Sequence, residues 1–439
     1  MTDFLCREPS CTHPTLSELF LVFGRVGLLS FGGPAGQIGM MHRVLVDEKR
    51  WLSEERFLHA LNYCMLLPGP EAQQLATYAG WLLHGRRGGI IAGTLFILPG
   101  FLVIVALAAA YALYQDTHWL PALLFGLKAG VLAIVIEALL RVGKRALKSR
   151  FLVGVAAAAF IALFFFAIPF PLVILAAGVA GFLKARGGPS VKPDGGSKSP
   201  SLWHQLRGVL VGILIWQMPL LLCWLVAAPS SLLELQEFFS RLAVVTFGGA
   251  YAVLAYVAQV AVETHGWMTA SEMLDGLALA EATPGPLVLV LSYIGFLAAF
   301  RHPGMLDPML AGVLGASIAA WATFVPSFIF IFLGAPYVER LKDNAALSGA
   351  LSAITGAVVG VILNLSVWFG LHVLFGKVDR VELLPQINLG MSLPDWSTLD
   401  LVSLALFVVS AIMLFRLKLG MVPVLCVCVA AGFIRLWLG

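Results

Sequence analysis

The sequence predicts an all-α polytopic membrane protein built from two inverted repeats, each of about six membrane segments with broken or re-entrant helices, and joined by one linker helix. Three observations carry this prediction. Hydrophobic residues fill 60% of the 439 positions and charged residues only 12%, against about a quarter charged in ordinary soluble domains, which excludes a soluble enzyme. Apolar runs long enough for a bilayer core about 30 Å thick recur along the chain, and Gly88 to Tyr114 holds no charge at all. The third observation is that the chain repeats itself.

At a shift of 216 residues, the stretch Glu18 to Pro70 reappears as Glu234 to Pro286. Phe23, Arg25, Phe31, Trp51 and Pro68 pair with Phe239, Arg241, Phe247, Trp267 and Pro284. Both copies read hydroxyl-Phe-Gly-Gly, as Ser30-Phe31-Gly32-Gly33 and Thr246-Phe247-Gly248-Gly249, and both read Pro-Gly-Pro, as Pro68-Gly69-Pro70 and Pro284-Gly285-Pro286. Further on, Tyr78 pairs with Tyr293 and Pro99 with Pro326. The organisation expected is an amino-terminal repeat over 1–184, a loop and linker helix over 185–232, and a carboxyl-terminal repeat over 233–439. Ala185 to Ser201, rich in Gly, Pro, Ser and Lys, reads as a flexible loop.

Orientation follows from Lys and Arg, which accumulate in short cytoplasmic loops. Residues 141–150 hold five and residues 184–207 another five. Between them, residues 151–183 carry no charge and are interrupted by Pro169 and Pro171, so they fold as a hairpin with an uncharged outer turn. The matching hairpin of the second copy turns at Arg416 to Lys418, which places a basic turn on the inner side and inverts that half. Leu206 to Val226, without a counterpart, supplies the odd crossing. Residues 263–275 hold Glu263, Glu272 and Asp275 but no Lys or Arg, as an outer turn would. The expectation is a multi-pass protein of the plasma (inner) membrane with its amino terminus cytoplasmic. Residues 1–15 lack the basic-then-apolar order of a signal peptide.

Chemistry concentrates at the breaks. Each proline of Pro-Gly-Pro removes a backbone donor and clashes with the preceding turn. At membrane depth the freed N–H and C=O groups are tolerated only inside protein or along a polar cavity. Pro70 and Pro286 suit the first position of a new half-helix, whose free N–H groups attract an oxyanion. Matched broken helices in inverted halves point to a transport site near the midplane. The candidate anion-binding residues are Arg25, Ser30, Gly32, Gly33, Gln37, Gly69, Pro70 and Lys128 in the first half. In the second they are Arg241, Thr246, Gly248, Gly249, Thr283, Gly285 and Pro286. For Arg25 and Arg241 a structural ion pair with Glu18 or Glu234 fits as well as anion binding. Lys128, matched by Thr355 in the second copy, makes the site asymmetric. Gln37, Gln73, Gln74 and Tyr78 either bind oxygen atoms or satisfy freed carbonyls. Glu71 and Glu281 would repel an anion unless protonated, and so are candidates for proton coupling. For Glu71, stabilisation of its helix terminus is the alternative.

Ser30-Phe31-Gly32-Gly33-Pro34 with Gln37, the acidic-basic stretch ending at Trp51, and the Leu67-Pro68-Gly69-Pro70 break, echoed in the second half, resemble the long, two-repeat form of the chromate ion transporter family. The resemblance spans nearly the entire chain and implies efflux of chromate, or of a sulfate-like dianion, driven by membrane potential or proton coupling. The second half departs from the motif at Ala250 and Val253, where the first has Pro34 and Gln37. Partners implied are the oxyanion and the lipid bilayer, with a homodimer left open and nucleic acid not expected. A membrane-embedded enzyme acting on a phosphate-bearing lipid is the rival, but it would want a nucleophile and a cationic clamp beside the breaks. An anion channel is the other alternative. No cofactor or metal is expected: Cys6, Cys11 and His13 lack a fourth ligand at zinc-like spacing, and Cys426 and Cys428 point away from each other on a helix.

Overall fold

A computed structural model describes residues 14–438 except 32, 66, 116, 187–201, 227, 247–249, 335–344, 385, 387 and 388. Cys6, Cys11, His13, Gly32, Gly248, Gly249 and most of the expected flexible loop therefore lie outside the described residues. The first half opens with α1 (Leu16–Leu29), started by a capping box in which Thr15 accepts from the Glu18 N–H while the Glu18 carboxylate accepts from the Thr15 N–H. α2 (Gly33–His42) follows the Gly-Gly break and continues as a π-helical turn to Glu48. α3 (Glu54–Cys64), capped by Ser53, leads into Pro-Gly-Pro, and α4 (Glu71–Tyr114) leaves it. α5 (Trp119–Ala146), α6 (Arg150–Phe164) and α7 (Phe170–Ala185) complete the half. The linker is α8 (Leu202–Trp216) and α9 (Met218–Leu225), bent by 49° at Gln217.

The second half repeats this order as α10 (Ser230–Val245), α11 (Ala250–Gln259), α12 (Ala270–Ala282), α13 (Val290–Arg301), α14 (Pro308–Gly334), α15 (Ala345–Leu374), α16 (Leu401–Ala411) and α17 (Met421–Leu438). The α12 cap at Thr269 is the counterpart of Ser53 and also forms a capping box, with Glu272. Among the described residues four helices, α4, α5, α14 and α15, are long and apolar enough to cross a membrane, and the bent linker pair meets the same test when its two helices are taken together. Their outward faces are apolar: Leu214 is 68% exposed and Trp224 71%, as a lipid-facing surface requires.

α4 is two arms. At His84 and Gly85 the backbone leaves helical geometry, Gly85 taking φ 58°, and the short first arm folds back on the long second one. A Cβ on Gly80 would stand 2.3 Å from the Gly88 carbonyl oxygen, so the arms approach too closely for any side chain there. α13 and α14 make the same contact through Gly295 and Gly315.

Each Pro-Gly-Pro segment is the tip of a helical hairpin. Arg301 at the end of α13 pairs with Glu272 in the first turn of α12 and donates to the Trp267 carbonyl at 3.0 Å. These residues are about equally far from Gly285 along the chain, and a straight helix would separate Glu272 from Arg301 by roughly 40 Å. In the first half the Tyr63 and Tyr78 rings meet at 5.3 Å across the equivalent tip. In the second half α10 and α11 lie against each other, the Phe238 and Tyr256 rings standing 6.0 Å apart.

The equivalent long helices run antiparallel. Between α5 and α15, Gly143 lies against Val359 and Gly370 against Leu132; between α4 and α14, Gly89 and Gly93 meet Phe332 and Phe328. Residue numbers rise on one helix as they fall on the other, so the two-fold relating the halves lies across the helices and the repeats are inverted. The halves also interlock: α6 and α7 pack on α15, while α16 and α17 pack on α5. Cys428 is buried against Gly126 and Gly130 of α5, whereas Cys426 is exposed.

Two features depart from the sequence reading. A β-hairpin, β1 (Val378–Leu384) with β2 (Leu389–Pro394), joins α15 to α16, and the Gly390 N–H docks it on the Phe165 carbonyl at 2.9 Å. It occupies the place of the short α5–α6 connection and was missed because the all-α reading weighed only helix-length apolar runs. The acidic stretch 263–275 is not a solvated turn throughout, because Glu272 is paired with Arg301 and Asp275 is 5% exposed inside the bundle.

Asp47 and Glu263 are equivalent, exposed positions on inverted halves. Single cysteines introduced there in a cysteine-free background should be labelled by a membrane-impermeant maleimide from opposite faces of sealed vesicles, and labelling of both from one face would contradict the antiparallel arrangement.

Candidate functional site

The two breaks are tied to each other by one hydrogen bond made twice. The Gly69 N–H donates to the Thr246 carbonyl at 2.7 Å, and the Gly285 N–H donates to the Ser30 carbonyl at 2.9 Å. Ser30 and Thr246 are equivalent, as are Gly69 and Gly285, so each hairpin tip caps the end of the first helix of the opposite half. Both glycines have positive φ, 121° and 94°, which a side chain would strain. A Cβ on Gly69 would also stand 2.7 Å from Ser327 Oγ of α14, and one on Gly285 would stand 3.2 Å from the Gly100 Cα of α4. Gly100 and Ser327 themselves follow the matched prolines Pro99 and Pro326.

Polar side chains near the crossing mostly satisfy the backbone that the breaks release. Ser30 Oγ donates to the Gly27 carbonyl, Thr246 Oγ1 to Leu242 and Thr283 Oγ1 to Ala280. Gln37 Nε2 donates to the Gly285 carbonyl at 2.6 Å, a bond between halves, and Gln74 Nε2 to the Pro68 carbonyl at 2.7 Å. Net, each such bond contributes about 1 kcal/mol, but leaving one of these buried groups unpaired costs about 1–3 kcal/mol.

Beside the crossing lies a cavity of about 610 Å³. Gly33 and Pro34 line it at the amino end of α2, Ala250 and Tyr251 at the amino end of α11, Glu71 in the first turn of α4, and Glu281 in the last turn of α12. α5 contributes Glu137, Arg141 and Arg145, and Lys148 beyond it reaches the same space. Glu281 is 3% exposed and accepts a hydrogen bond from Tyr251 Oη at 2.7 Å. Arg141 is paired with Glu137, and Arg145 Nη2 rests on Met65 Sδ at 3.1 Å. Two equivalent helix amino ends therefore face one cavity, each presenting partial positive charge, with basic side chains on the α5 wall. That arrangement suits a small oxyanion, and among the described residues no group of His, Cys, Asp or Glu could hold a metal ion.

Of the residues expected from sequence, the cavity takes in Gly33, Glu71 and Glu281. Gly69, Pro70, Gly285 and Pro286 are buried in the crossing beside it, with the two glycine N–H groups spent on the opposite half rather than free for a ligand. Pro70 and Pro286 stand one residue before the new helical turns, as their fixed φ favours. Three cations are displaced from the expected role. Arg241 is exposed and paired with Glu237, not Glu234. Arg25 is exposed with no partner among the described residues, and Glu18 is engaged by Thr15. Lys128 lies outside the cavity, 2.8 Å from Asp275 Oδ1 and donating to Ser271 Oγ at 2.9 Å, while Tyr111 Oη donates to Asp275 Oδ2 at 3.0 Å. The reason is geometric: helical spacing put these cations near the breaks in sequence but left open which side of the helix they occupy. The residues missed are Tyr251, Arg141 and Arg145. Tyr251 stands where the first half has Ala35, and the arginines were visible as a basic cluster but were used only for orientation.

A sequence profile of the family described as chromate transporter matches residues 17–182 and 233–434, one region per half. A probable chromate transport protein of Synechococcus elongatus is 29% identical, covering 87% of this chain and 93% of that protein. A chromate transport protein of Pseudomonas aeruginosa is 31% identical, covering 88% and 86%. An uncharacterized transporter of Methanocaldococcus jannaschii is 25% identical over 97% of this chain. No solved structure matches.

Removing one partner of a buried ion pair strands the other, at a cost of about 3–5 kcal/mol, whereas replacing both by apolar residues is often neutral. Lys128→Met should therefore lower the thermal midpoint of the purified protein, and the double substitution with Asp275→Leu should restore most of it. A Lys128→Met protein of unchanged midpoint would show that the pair does not hold the halves together. Arg241→Gln should leave both stability and transport within about twofold of the parent, since an exposed pair contributes about 0–1 kcal/mol.

Proposed function

The chain belongs to the chromate transporter family, and from that premise we propose that it carries chromate, or a tetrahedral dianion of the same charge such as sulfate, out of the cell across the plasma membrane by alternating access. The observation that carries this reading is one cavity onto which equivalent helix amino ends from two inverted halves open, beside the reciprocal Gly69–Thr246 and Gly285–Ser30 bonds. On this reading the cavity mouth faces the cytoplasm, because it opens beside Arg141, Arg145 and Lys148, and short basic loops stay inside. The amino end of α1 lies on that side too, through the His84–Pro14 contact at the turn of α4.

The anion enters past Arg145, loses water, and is held between the ends of α2 and α11, where fixed N–H dipoles replace its hydration. Gly33 lets it approach the backbone. Beyond the crossing, Lys128 is about two and a half turns nearer the Trp119 end of α5 than Glu137, and its pair with Asp275 joins the halves on the outer side. Opening outward requires the halves to rock about the crossing, separating Lys128 and Tyr111 from Asp275 and closing α5 over the cavity. The symmetry of the crossing lets both extremes keep the same central hydrogen bonds. A charge crossing 100 mV gains about 2.3 kcal/mol, so the negative-inside potential drives an anion outward without a bound nucleotide.

Purified protein in liposomes should release trapped chromate when a potassium diffusion potential is imposed negative on the cavity side, with sulfate competing. Flux that ignores the potential would overturn the energetic part, and no flux would overturn the transport reading. Arg145→Gln should raise the apparent KM for chromate about tenfold, since a charge near a dianion in a half-wet cavity is worth roughly 1–2 kcal/mol, and raised salt should narrow the difference.

A further inference from the structure

One feature of the cavity belongs to the second half alone. Glu281 and Tyr251 have Met65 and Ala35 as their equivalents, and the first hairpin folds around its own tip without any such pair. The carboxylate and its hydroxyl partner are thus dispensable for the hairpin architecture. Glu281 nevertheless stands in the last turn of α12, where the helix end carries partial negative charge. It is 3% exposed, and it accepts a hydrogen bond from Tyr251 Oη at 2.7 Å. Glu71, the other acid expected to couple protons, differs in each respect: it sits in the first turn of α4, where a negative charge is favoured, and it is only partly buried.

The charged and titratable groups that share the cavity with Glu281 are Tyr251 on α11, Glu71 on α4, and Glu137, Arg141 and Arg145 on α5 with Lys148 just beyond it; α15 presents only Ser352 and Thr355 among its polar groups. Arg141, the nearer cation along α5, is already paired with Glu137. A dianion seated between α2 and α11 would therefore share this cavity with an ionised Glu281, and the two like charges would repel. The repulsion is relieved when the carboxylate takes up a proton, so anion and proton bind together.

We propose that Glu281, oriented by Tyr251, is a proton-binding site through which one proton accompanies each oxyanion, so that a dianion crosses with one net negative charge. This rests on the transport reading above. On the cytoplasmic side water delivers a proton to Glu281 Oε2, the oxygen not held by Tyr251, and an O–H bond forms as the anion seats. After the halves rock, the anion leaves, the bond breaks, and the proton departs to water on the outer side. The ionised carboxylate then holds the Tyr251 hydroxyl until the cavity faces inward again. One net negative charge still crosses, so the potential continues to drive export, while an inside-alkaline pH gradient opposes it.

The test uses liposomes containing the full-length parent, Glu281→Gln or Tyr251→Phe, with chromate as the probe and with potential and pH gradient imposed separately. For the parent, chromate release should rise as pH on the cavity side falls, approaching tenfold per unit where protonation limits the rate. Glu281→Gln, permanently neutral, should still carry chromate but lose the dependence on the pH gradient, and its reversal potential at a fixed anion gradient should be half that of the parent, because two charges now move instead of one. Should the Gln protein carry nothing, Tyr251→Phe decides: a displaced pH midpoint of flux supports the proposal, and an unchanged one overturns it. Parent flux that responds to potential but not to pH, or equal reversal potentials in parent and Glu281→Gln, would overturn the proton site while leaving the transport reading standing. Absence of parent flux would defeat the transport reading and this inference with it.

Discussion

A helix broken inside a bilayer leaves backbone groups that must find partners within the protein, and the rest of this molecule is arranged around how that debt is met. The Gly69 and Gly285 N–H groups each reach a carbonyl at the end of the other half's first helix. Each half thus satisfies the tip of the other, which ties the two inverted halves together at the crossing. The matched small residues Gly100 and Ser327 allow the tips to seat against the long helices, and α6–α7 and α16–α17 each pack on a long helix of the other half.

On that near-symmetric frame the chemistry is asymmetric. Gln37 braces one tip from the opposite half and has Val253 as its counterpart. Lys128 and Asp275 form one buried pair where symmetry would allow two, because their equivalents are Thr355 and His59. The cavity draws its basic wall from α5 alone, where α15 has Trp368 and His372 in place of Arg141 and Arg145. Frame and chemistry have separated: backbone bonds that repeat fix the shape, and side chains that do not repeat give the cavity a sign and a direction.

The fold was legible where it depends on backbone chemistry. Gly and Pro at matched positions announced the breaks, and the shift of 216 residues announced the repeat, since a residue that must lack a side chain or a donor leaves its mark in any context. Inversion, read from the basic clusters, agrees with the antiparallel course of α5 and α15. The charged residues were harder to assign. Arg25 and Arg241 sit two turns before a break, yet both project from the outer faces of their helices. Sequence gives the spacing along a helix but not which helix lies opposite. Lys128 was recognised as breaking the symmetry of the halves, but its partner Asp275 is far away in sequence and had been read as part of an outer turn. Tyr251 escaped because it departs from the repeat, standing where the first half has Ala35. The β-hairpin escaped because its strands are far shorter than the helix-length apolar runs that carried the fold.

The central claim is that the anion sits between the amino ends of α2 and α11, beside the crossing, and not at the buried ion pair or the exposed arginines. Anomalous diffraction at the chromium edge from crystals soaked in chromate tests this without reference to activity. The account predicts one chromium peak within reach of the Gly33 and Tyr251 backbone N–H groups, lost on competition with excess sulfate. A peak beside Lys128 or Arg25 instead, with the cavity empty at saturating chromate, would contradict it.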